Sequence, residues 1–293
     1  MNAPLSTLAP AKVNLTLRIR GRRADGLHDL ESLVAFAAIG DRLSLEPGPV
    51  LGLDIEGPLR NGCGPLAENL VLKAVSALQA RVVSLRIGRF VLSKHLPVAA
   101  GLGGGSADAA AALRLLAEAN ALSAGDPRLL EAARHTGADV PVCIDSLPRL
   151  MRGAGEILSP PQKLPRLAAL LVNPAAALST KEVFEAFDAL PQRPASGRCN
   201  DDGAAIPEQR EALLAWLHER PNDLEAAAIA RQPAIGNVLR AMRALPGCRL
   251  ARMSGSGATC FALWQSTRTA AAAARSLRAA QPKWWIRTTV LGG

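Results

Sequence analysis

Hydrophobic and polar residues alternate near the N-terminus, in the stretch KVNLTLRIR at 12–20. Apolar side chains occupy every second position from Val13 to Ile19, and polar side chains fill the positions from Lys12 to Arg18. Because successive side chains of a strand point to opposite faces, this spacing predicts a half-buried strand. The following GRRADG, at 21–26, predicts a tight turn.

The pattern farther along the chain predicts two α+β halves, separated by a proline-rich stretch at 160–165. In the first half we expect strands over 42–45, 51–55 and 82–92, and helices over 69–80, over 106–118 and after 126–127. Asn69 and Asp126 are suited to cap helices, and Pro127 to the first helical position. In the second half we expect a strand over 167–172, several helices between Thr180 and Ala244, a strand–loop–strand unit over 249–264, an alanine-rich helix and a final strand over 284–291. The predicted domains are 1–160 and 161–293.

The charge balance favours a partner that is negatively charged. The 293 residues include 34 basic and 25 acidic side chains, which gives a net charge of +9. Such a surface attracts nucleic acid and polyphosphate substrates alike. Aromatic residues make up 3% of the chain and tyrosine is absent, so the chain is poorly supplied with side chains on which bases could stack. A nucleic-acid-binding protein therefore stays a weaker alternative.

The scattered cysteines and the hydropathy indicate a cytoplasmic protein without a membrane partner. The cysteines are odd in number, widely spaced and without a CxxC pair, which argues against a zinc site or a disulfide scaffold. No apolar run reaches the roughly 18 residues that a membrane span needs. The first residues lack the basic segment and apolar core of a signal peptide.

A glycine-rich loop before a predicted helix is the main candidate for a binding site. The stretch LPVAAGLGGGSADAAAAL begins at Leu96. Glycines let backbone N–H groups approach a ligand closely, and the start of a helix adds unpaired N–H groups and partial positive charge. Together they form a phosphate cradle. The loop matches neither the Walker A nor the GxGxxG pattern, and a flexible connection with Ser106 as helix cap is the alternative.

Further motifs favour the phosphate cradle. The chain carries, in order, PAKVNLTL, RRADGLHDLESL, the glycine-rich loop, GADVPV, GAGEIL, NDLE and MSGSGAT. In this combination it resembles the GHMP kinases, and among them the branch that phosphorylates the 2-hydroxyl of a cytidylylated polyol on the non-mevalonate route to isoprenoid precursors. The resemblance implies an ATP-dependent phosphotransferase with an alcohol as acceptor. It also implies an N-terminal domain like ribosomal protein S5 domain 2, a ferredoxin-like C-terminal domain, and a site in the cleft between them.

The resemblance assigns roles in phosphoryl transfer to residues of the first half. Asp139, in GADVP, would take the proton of the acceptor hydroxyl, and Lys12 would keep Asp139 ionised and neutralise the moving phosphoryl group. Taken alone, Asp139 could cap a turn before Pro141, and Lys12 could be a solvated strand residue. The ATP phosphates would be held by Pro97, Val98, Ala99, Ala100, Gly101, Leu102, Gly103, Gly104, Gly105, Ser106 and Ala107. Magnesium is expected with ATP, but no dedicated protein metal site is predicted.

The acceptor would be recognised by residues from several motifs. His28 matches the residue that recognises cytosine, and Thr180 matches a further substrate contact. Phe184 matches the aromatic on the side of the base opposite position 27. Asn14 shares the strand face of Lys12, so we expect it to meet the same ligand. Relatives carry tyrosine where this chain has Leu27, which removes a ring contact with the base. A second glycine loop would close on the ligand with Ser254, Gly255, Ser256 and Gly257.

Several alternatives remain open on the sequence. Phe184 could be a helix-core residue, and the second glycine loop could be a simple hairpin connection. NDLE is expected to be structural, with Asn222 or Asp223 capping a helix. Another GHMP kinase, of the homoserine or mevalonate type, is the nearest competing function, although ADGLH and PAKVN favour the cytidylylated acceptor. The chain could be a monomer or a dimer.

Overall fold

The first half of the chain folds into strands with helices packed on one side of them. The computed structural model describes residues 4–190 and 205–292. The elements of this half are β1 (Leu5–Asn14), β2 (Arg18–Arg22), β3 (His28–Gly48), β4 (Gly52–Glu56), α1 (Leu70–Gln79), β5 (Ile87–Ser93), α2 (Gly104–Ala119), α3 (Pro127–Thr136), α4 (Val140–Cys143), β6 (Arg149–Gly153) and β7 (Ile157–Leu158). Short 3₁₀ turns at Arg60–Gly62 and Leu66–Glu68 precede α1.

The second half repeats the combination of sheet and helices. Its elements are β8 (Leu167–Asn173), α5 (Thr180–Asp188), α6 (Arg210–His218), α7 (Glu225–Arg231), α8 (Ala234–Arg243), β9 (Leu250–Met253), β10 (Cys260–Trp264), α9 (Thr267–Ala280) and β11 (Trp285–Leu291). The architecture is therefore α+β, as the sequence predicts. Among the described residues, no helix is both long and apolar enough to cross a bilayer.

The 21-residue strand β3 is the central strand of the first sheet. It pairs antiparallel with β1, β2, β5 and β6, while β4 runs parallel to β5. In the second sheet β8 lies between β10 and β11, and β9 pairs with β10. The pair Leu291–Ala37 joins β11 to β3. The end of β1 lies beside the loop that follows β9, where Asn14 N donates to Ser254 Oγ, and both places carry predicted site residues.

The hydrophobic core links the two halves. One cluster lies between the first sheet and helices α1 to α3, and a second lies under α7, α8 and α9. A third cluster mixes residues of both halves, for example Val13 and Leu33 with Leu171, Leu213 and Phe261. Strand β1 is therefore covered on both faces. Burial of the apolar surface in this third cluster holds the two halves against each other. Each Å² of apolar surface removed from water contributes roughly 25 cal/mol to stability.

The prediction of one half-buried strand over 12–20 is wrong in two respects. The strand ends at Asn14 and pairing resumes at Arg18, because Leu17 turns away to bridge Asn222 in the other half. The face that carries Lys12 and Asn14 is also buried, because the loop that leads into α2 packs on Lys12 and the loop after β9 packs on Asn14. Alternation in the sequence shows which residues share a face but not what covers that face.

Most of the other predicted elements are confirmed, with shifted ends. Asn69 caps α1 and Asp126 caps α3 through side-chain bonds to Val71 N and Arg128 N, with Pro127 in the first turn. Helix α2 starts earlier than predicted, with Gly103 as its N-cap, so Ser106 does not cap it. The strand predicted at 42–45 is part of the longer β3. In place of the strand predicted over 82–92, the structure has the shorter β5, which begins at Ile87. The turn predicted for GRRADG is confined to 24–26, because β2 continues to Arg22.

The C-terminal elements are also confirmed. These are β8, the β9–β10 hairpin, α9 and β11, while helices α5 to α8 fill the predicted helical region outside 191–204. Residues 191–204, and with them Cys199, lie outside the described part of the chain. The proposed boundary at 160–165 falls between β7 and β8 and stays a prediction.

Candidate active site

The first glycine loop connects β5 to α2 and ends in a left-handed turn. Gly101 has φ +74° and Gly103, the N-cap of α2, has φ +59°. The 16-residue helix α2 begins at the end of this loop. Its first N–H groups and the positive end of its dipole therefore point into the loop. A negatively charged group is stabilised at such a helix start. The predicted loop thus has the backbone geometry of a phosphate site.

Gly101 is required by the contact between the two glycine loops. A Cβ on Gly101 would lie 2.3 Å from the Ser254 carbonyl oxygen and 2.9 Å from that of Gly257. The Ser254 hydroxyl donates to Gly101 O at 2.8 Å, and Thr259 N donates to Ala100 O at 3.1 Å. Sequence reasoning attributed the glycines to the phosphates alone. The structure adds close packing of the second loop, residues 254–257, on the first.

Lys12 and Asp139 meet beside the first glycine loop. The distance from Lys12 Nζ to Asp139 Oδ2 is 3.3 Å, with 5% of the lysine side chain and 40% of the aspartate side chain exposed. Lys12 N donates to Leu102 O at 2.9 Å, and a Cβ on Gly103 would lie 3.0 Å from Lys12 Cε. The buried ammonium therefore faces both the loop and a carboxylate that solvent can reach. Such a pair can accept a proton and balance phosphate charge.

The position of Asp139 excludes its alternative role as a cap. Asp139 is the N-cap residue of α4, yet its side chain makes no cap hydrogen bond. Its carboxylate points instead to Lys12. Gly155, in GAGEIL, approaches from the other side, since a Cβ there would lie 3.5 Å from Asp139 Oδ1. The carboxylate is thus held next to the lysine rather than used for the helix start.

Asn14 orients the lysine and joins the second glycine loop to β1. Its Oδ1 accepts from Lys12 Nζ at 3.1 Å, its Nδ2 donates to Ser32 Oγ at 2.7 Å, and its backbone N donates to Ser254 Oγ at 3.1 Å. Ser32 Oγ in turn donates to Thr16 O at 2.5 Å. Sequence reasoning missed Ser32, because a serine next to two hydrophobic residues gives no sign of a partner 18 positions away.

The predicted base-recognition residues come together at the other end of the site. The rings of His28 and Phe184 are stacked, with 4.7 Å between their centroids and 26° between their planes. His28 Nε2 lies 2.7 Å from Asp188 Oδ1, and Thr180 Oγ1 lies 2.8 Å from Ser256 Oγ in the second glycine loop. Rings at this separation are in direct contact, so a base can stack on an outer face but not between them. Leu27 is 53% exposed.

Phe184 is more than a helix-core residue, and the second glycine loop is more than a hairpin connection. Phe184 is partly buried and contacts the His28 ring, besides packing against the second hydrophobic cluster. The loop at 254–257 connects β9 to β10, but it also contacts the first glycine loop, Asn14 and Thr180. NDLE behaves differently from the prediction, because Leu224 is the N-cap residue of α7 and Asn222 bonds to the second glycine loop.

A buried charge cluster under the first glycine loop was missed by the sequence analysis. Lys94 Nζ lies 2.5 Å from Asp41 Oδ2 and 2.9 Å from Asp108 Oδ2. Asp41 Oδ1 accepts from the backbone N of His95 and Leu96. A Cβ on Gly104 would lie 3.6 Å from Lys94 Nζ, so the cluster lies directly behind the start of α2. It fixes the chain that enters the loop to the helix that leaves it.

The charge of this cluster depends on Asp108. Burial is the main cause that raises the pKa of Asp108 to about 7; Lys94 opposes this shift and Asp41 adds to it. Burial lowers the pKa of Lys94, but Asp108 and Asp41 together raise it above its ordinary value. Asp108 Oδ1 has no hydrogen-bond partner among the described residues. One ammonium shared by two buried carboxylates favours a proton on Asp108.

We expect Asp108→Asn to flatten the dependence of stability on pH. Between the ordinary value of 3.8 and about 7 the folded chain holds a proton on Asp108 that the unfolded chain has lost. Wild-type stability should therefore fall as the pH rises through this window, by up to about 1.4 kcal/mol per pH unit from this group. Urea unfolding of both proteins at pH 5, 6 and 7 measures the effect. Parallel pH curves would show that Asp108 is ionised in the folded chain.

Comparison with known proteins places the chain in one family. The family model described as the GHMP kinases N terminal domain matches residues 69–146, and the one described as GHMP kinases C terminal matches residues 205–283. These ranges contain the first glycine loop, Asp139 and the second glycine loop. The chain belongs to the GHMP kinases, whose members use ATP as phosphate donor.

Within this family, relatives that are more than half identical over almost the full chain share one name. The 4-diphosphocytidyl-2-C-methyl-D-erythritol kinase of Rhodopseudomonas palustris (strain BisB5) is 55% identical, covering 98% of this chain and 99% of the relative. That of Xanthobacter autotrophicus is 54% identical, covering 97% of each chain. A crystal structure of 4-(cytidine 5'-diphospho)-2C-methyl-D-erythritol kinase matches with TM-score 0.76 and 36% identity over 99% of this chain and 100% of that one. Homoserine kinase from Cytophaga hutchinsonii, at 18% identity and TM-score 0.73, shares the fold.

Proposed function

We propose that this chain transfers the γ-phosphoryl group of ATP to the 2-hydroxyl of 4-diphosphocytidyl-2-C-methyl-D-erythritol. The observation that carries the proposal is the Lys12–Asp139 pair at 3.3 Å, in contact with the glycine loop that begins α2. The full-length similarity to kinases named for this substrate supports the choice of acceptor. The reaction would supply a phosphorylated intermediate on the non-mevalonate route to isoprenoid precursors.

Asp139 and Lys12 divide the chemical work. The acceptor oxygen attacks the γ-phosphorus of ATP, the bond from that phosphorus to the bridging oxygen breaks, and ADP leaves. The hydroxyl proton passes to the Asp139 carboxylate, which is partly open to solvent and can release it. Lys12 offsets the negative charge on the transferred group, and the N–H groups at the start of α2 hold the phosphates that stay behind. Asn14 keeps the Lys12 ammonium in place.

The acceptor would lie between the phosphate loop and the His28–Phe184 pair. His28 would donate to or accept from the cytosine edge, and Phe184 supports the His28 ring. Thr180 and the second glycine loop, joined by the bond to Ser256, would close one wall. Leu27 offers the base an apolar contact without a ring. This assignment gives each predicted site residue a place along one extended ligand.

Magnesium would arrive with the nucleotide. Among the described residues, no group of three or more histidine, cysteine, aspartate or glutamate side chains is arranged to hold a metal ion. The phosphate oxygens of ATP and water would therefore supply most of the magnesium ligands, which is usual for this ion. When bound, magnesium offsets phosphate charge. The free thiols of Cys63, Cys143, Cys248 and Cys260 support a reducing cytoplasm as the place of the reaction.

A panel of acceptors tests the proposed function. ATP and magnesium are offered with 4-diphosphocytidyl-2-C-methyl-D-erythritol, homoserine or mevalonate in turn, and ADP release is followed. We expect turnover with the cytidylylated acceptor and at least about a hundredfold lower kcat/KM with the others, because those acceptors lack the base and the diphosphate that the site is proposed to hold. Strong turnover on homoserine, with none on the cytidylylated erythritol, would overturn the proposal.

A further inference from the structure

The NDLE segment, Asn222–Glu225, contacts both sides of the candidate site without belonging to either side. It lies between α6 and α7 and crosses the end of β9, just before the second glycine loop. Asn222 is 4% exposed. Its Oδ1 accepts from Leu224 N at 3.0 Å, which shapes the turn into α7. The other half of its amide is directed away from this turn.

The Asn222 amide nitrogen bonds to the backbone of the second glycine loop. Nδ2 donates to Met253 O at 2.9 Å and to Gly255 O at 2.8 Å. Gly255 has φ +56°, and a Cβ there would lie 3.3 Å from both Asn14 Oδ1 and Gly101 O. The residue that Asn222 holds is therefore in close contact with both Asn14 and the first glycine loop.

The same segment holds the hairpin that carries His28. Asp223 N donates to Leu17 O at 2.8 Å, and Asp223 Oδ2 accepts from Ile19 N at 2.8 Å. Leu17 and Asn222 form the bridge at which β1 gives way to β2. The start of the β2–β3 hairpin is thus fixed to the segment that fixes the second glycine loop. The side of the site for the base and the side for the phosphates share one support.

We propose that Asn222 is a positioning residue for phosphoryl transfer, and this role rests on the proposed function. Its two donated hydrogen bonds hold Gly255 against Asn14 and Gly101. Through Asn14 they keep the Lys12 ammonium aligned with Asp139, and through Ser254 they brace the loop that binds ATP. Loss of the two bonds lets the second glycine loop move away while the turn into α7 remains.

Asn222→Asp separates these two tasks. Aspartate keeps the size of the side chain and an oxygen that accepts from Leu224 N, but it donates to neither Met253 O nor Gly255 O. We expect kcat with the cytidylylated acceptor to fall about tenfold and the Kd of a non-hydrolysable ATP analogue to rise by a similar factor, because misplaced groups lose effective molarity. Asn222→Ala removes the donors without adding a charge and should show the same two losses. Either variant suffices if the other fails to fold.

Asn120→Asp is the matched control. Asn120, at the end of α2, also donates from Nδ2 to two carbonyls, those of Arg86 and Leu116, and accepts from Arg86 N. This variant should lower the Tm without changing kcat or the Kd of the ATP analogue. If the Asn222 variants also lose only Tm, Asn222 is structural and the positioning role is refuted. If wild type fails on the cytidylylated acceptor, the proposed function falls. The role of Asn222 is then still decided by the Kd of the ATP analogue in the Asn222 variants: a raised Kd supports positioning, and an unchanged Kd refutes it.

Discussion

Asp139→Asn is expected to lower kcat by about a thousandfold, since general-base catalysis is worth roughly 10² to 10⁴ in rate and the amide cannot take the hydroxyl proton. The variant keeps the shape of the side chain beside Lys12, which retains its bond to Asn14. Because the proposed site holds the ATP phosphates at the first glycine loop and not at Asp139, the Kd of an ATP analogue should change less than about threefold. Steady-state kinetics and calorimetric titration of the same preparation measure both quantities.

Asp54→Asn is the control for this prediction. Asp54 is an exposed residue of β4 that pairs with Arg89, so its loss removes a surface ion pair and leaves the site untouched. Its kcat should equal that of wild type, because exposed ion pairs contribute about 1 kcal/mol or less to stability and the side-chain partner of Asp54, Arg89, is not a proposed site residue. Near-normal kcat in Asp139→Asn would refute the role of Asp139 as base. A large loss of ATP binding there would instead assign Asp139 to the nucleotide.

Gly101→Ala is expected to weaken binding of an ATP analogue by about a hundredfold and to lower the Tm at the same time. The new Cβ would lie 2.3 Å from Ser254 O, a distance at which one of the two backbones must shift. The left-handed φ of +74° adds about 1–2 kcal/mol for any residue with a Cβ. Both glycine loops should therefore move, and the contact of Ser254 with Gly101 O should be lost.

Gly125→Ala separates this effect from a general cost of removing glycine. No atom lies within 4 Å of a Cβ built on Gly125, and its φ is outside the left-handed region. We expect an unchanged Kd and an equal or slightly higher Tm, because alanine reduces the freedom of the unfolded chain. If Gly101→Ala weakened ATP binding without lowering the Tm, the glycine would serve the phosphates alone and not the packing of the loops.

Local chemistry made much of the fold and part of the site predictable. The caps at Asn69 and Asp126 act within two residues of their own position, so their effect is visible in any window of sequence. The glycine loop before α2 is similarly local. The stacking of His28 on Phe184, in contrast, joins residues on different elements, and the family resemblance indicated only that both residues serve the base.

The residues that the sequence analysis missed act through contacts between distant parts of the chain. Asp41 lies 53 positions before Lys94 and Asp108 lies 14 positions after it, yet the three residues form one buried cluster. Asn222 acts on a loop 33 residues away. A single aspartate or asparagine is typical of a surface, and nothing in its own segment indicates that another segment buries it.

The sequence by itself determined most of the strands and helices, the caps at Asn69 and Asp126, the glycine-rich loop before α2 and, through its motifs, the family. Only the tertiary structure decided that the polar face of β1 is buried, that Lys12 meets Asp139, and that one glycine loop packs on the other. The physical reason is the distance along the chain over which each interaction acts. Backbone propensities and caps act over a few residues, whereas burial and charge pairing depend on which surface the folded chain brings against each residue.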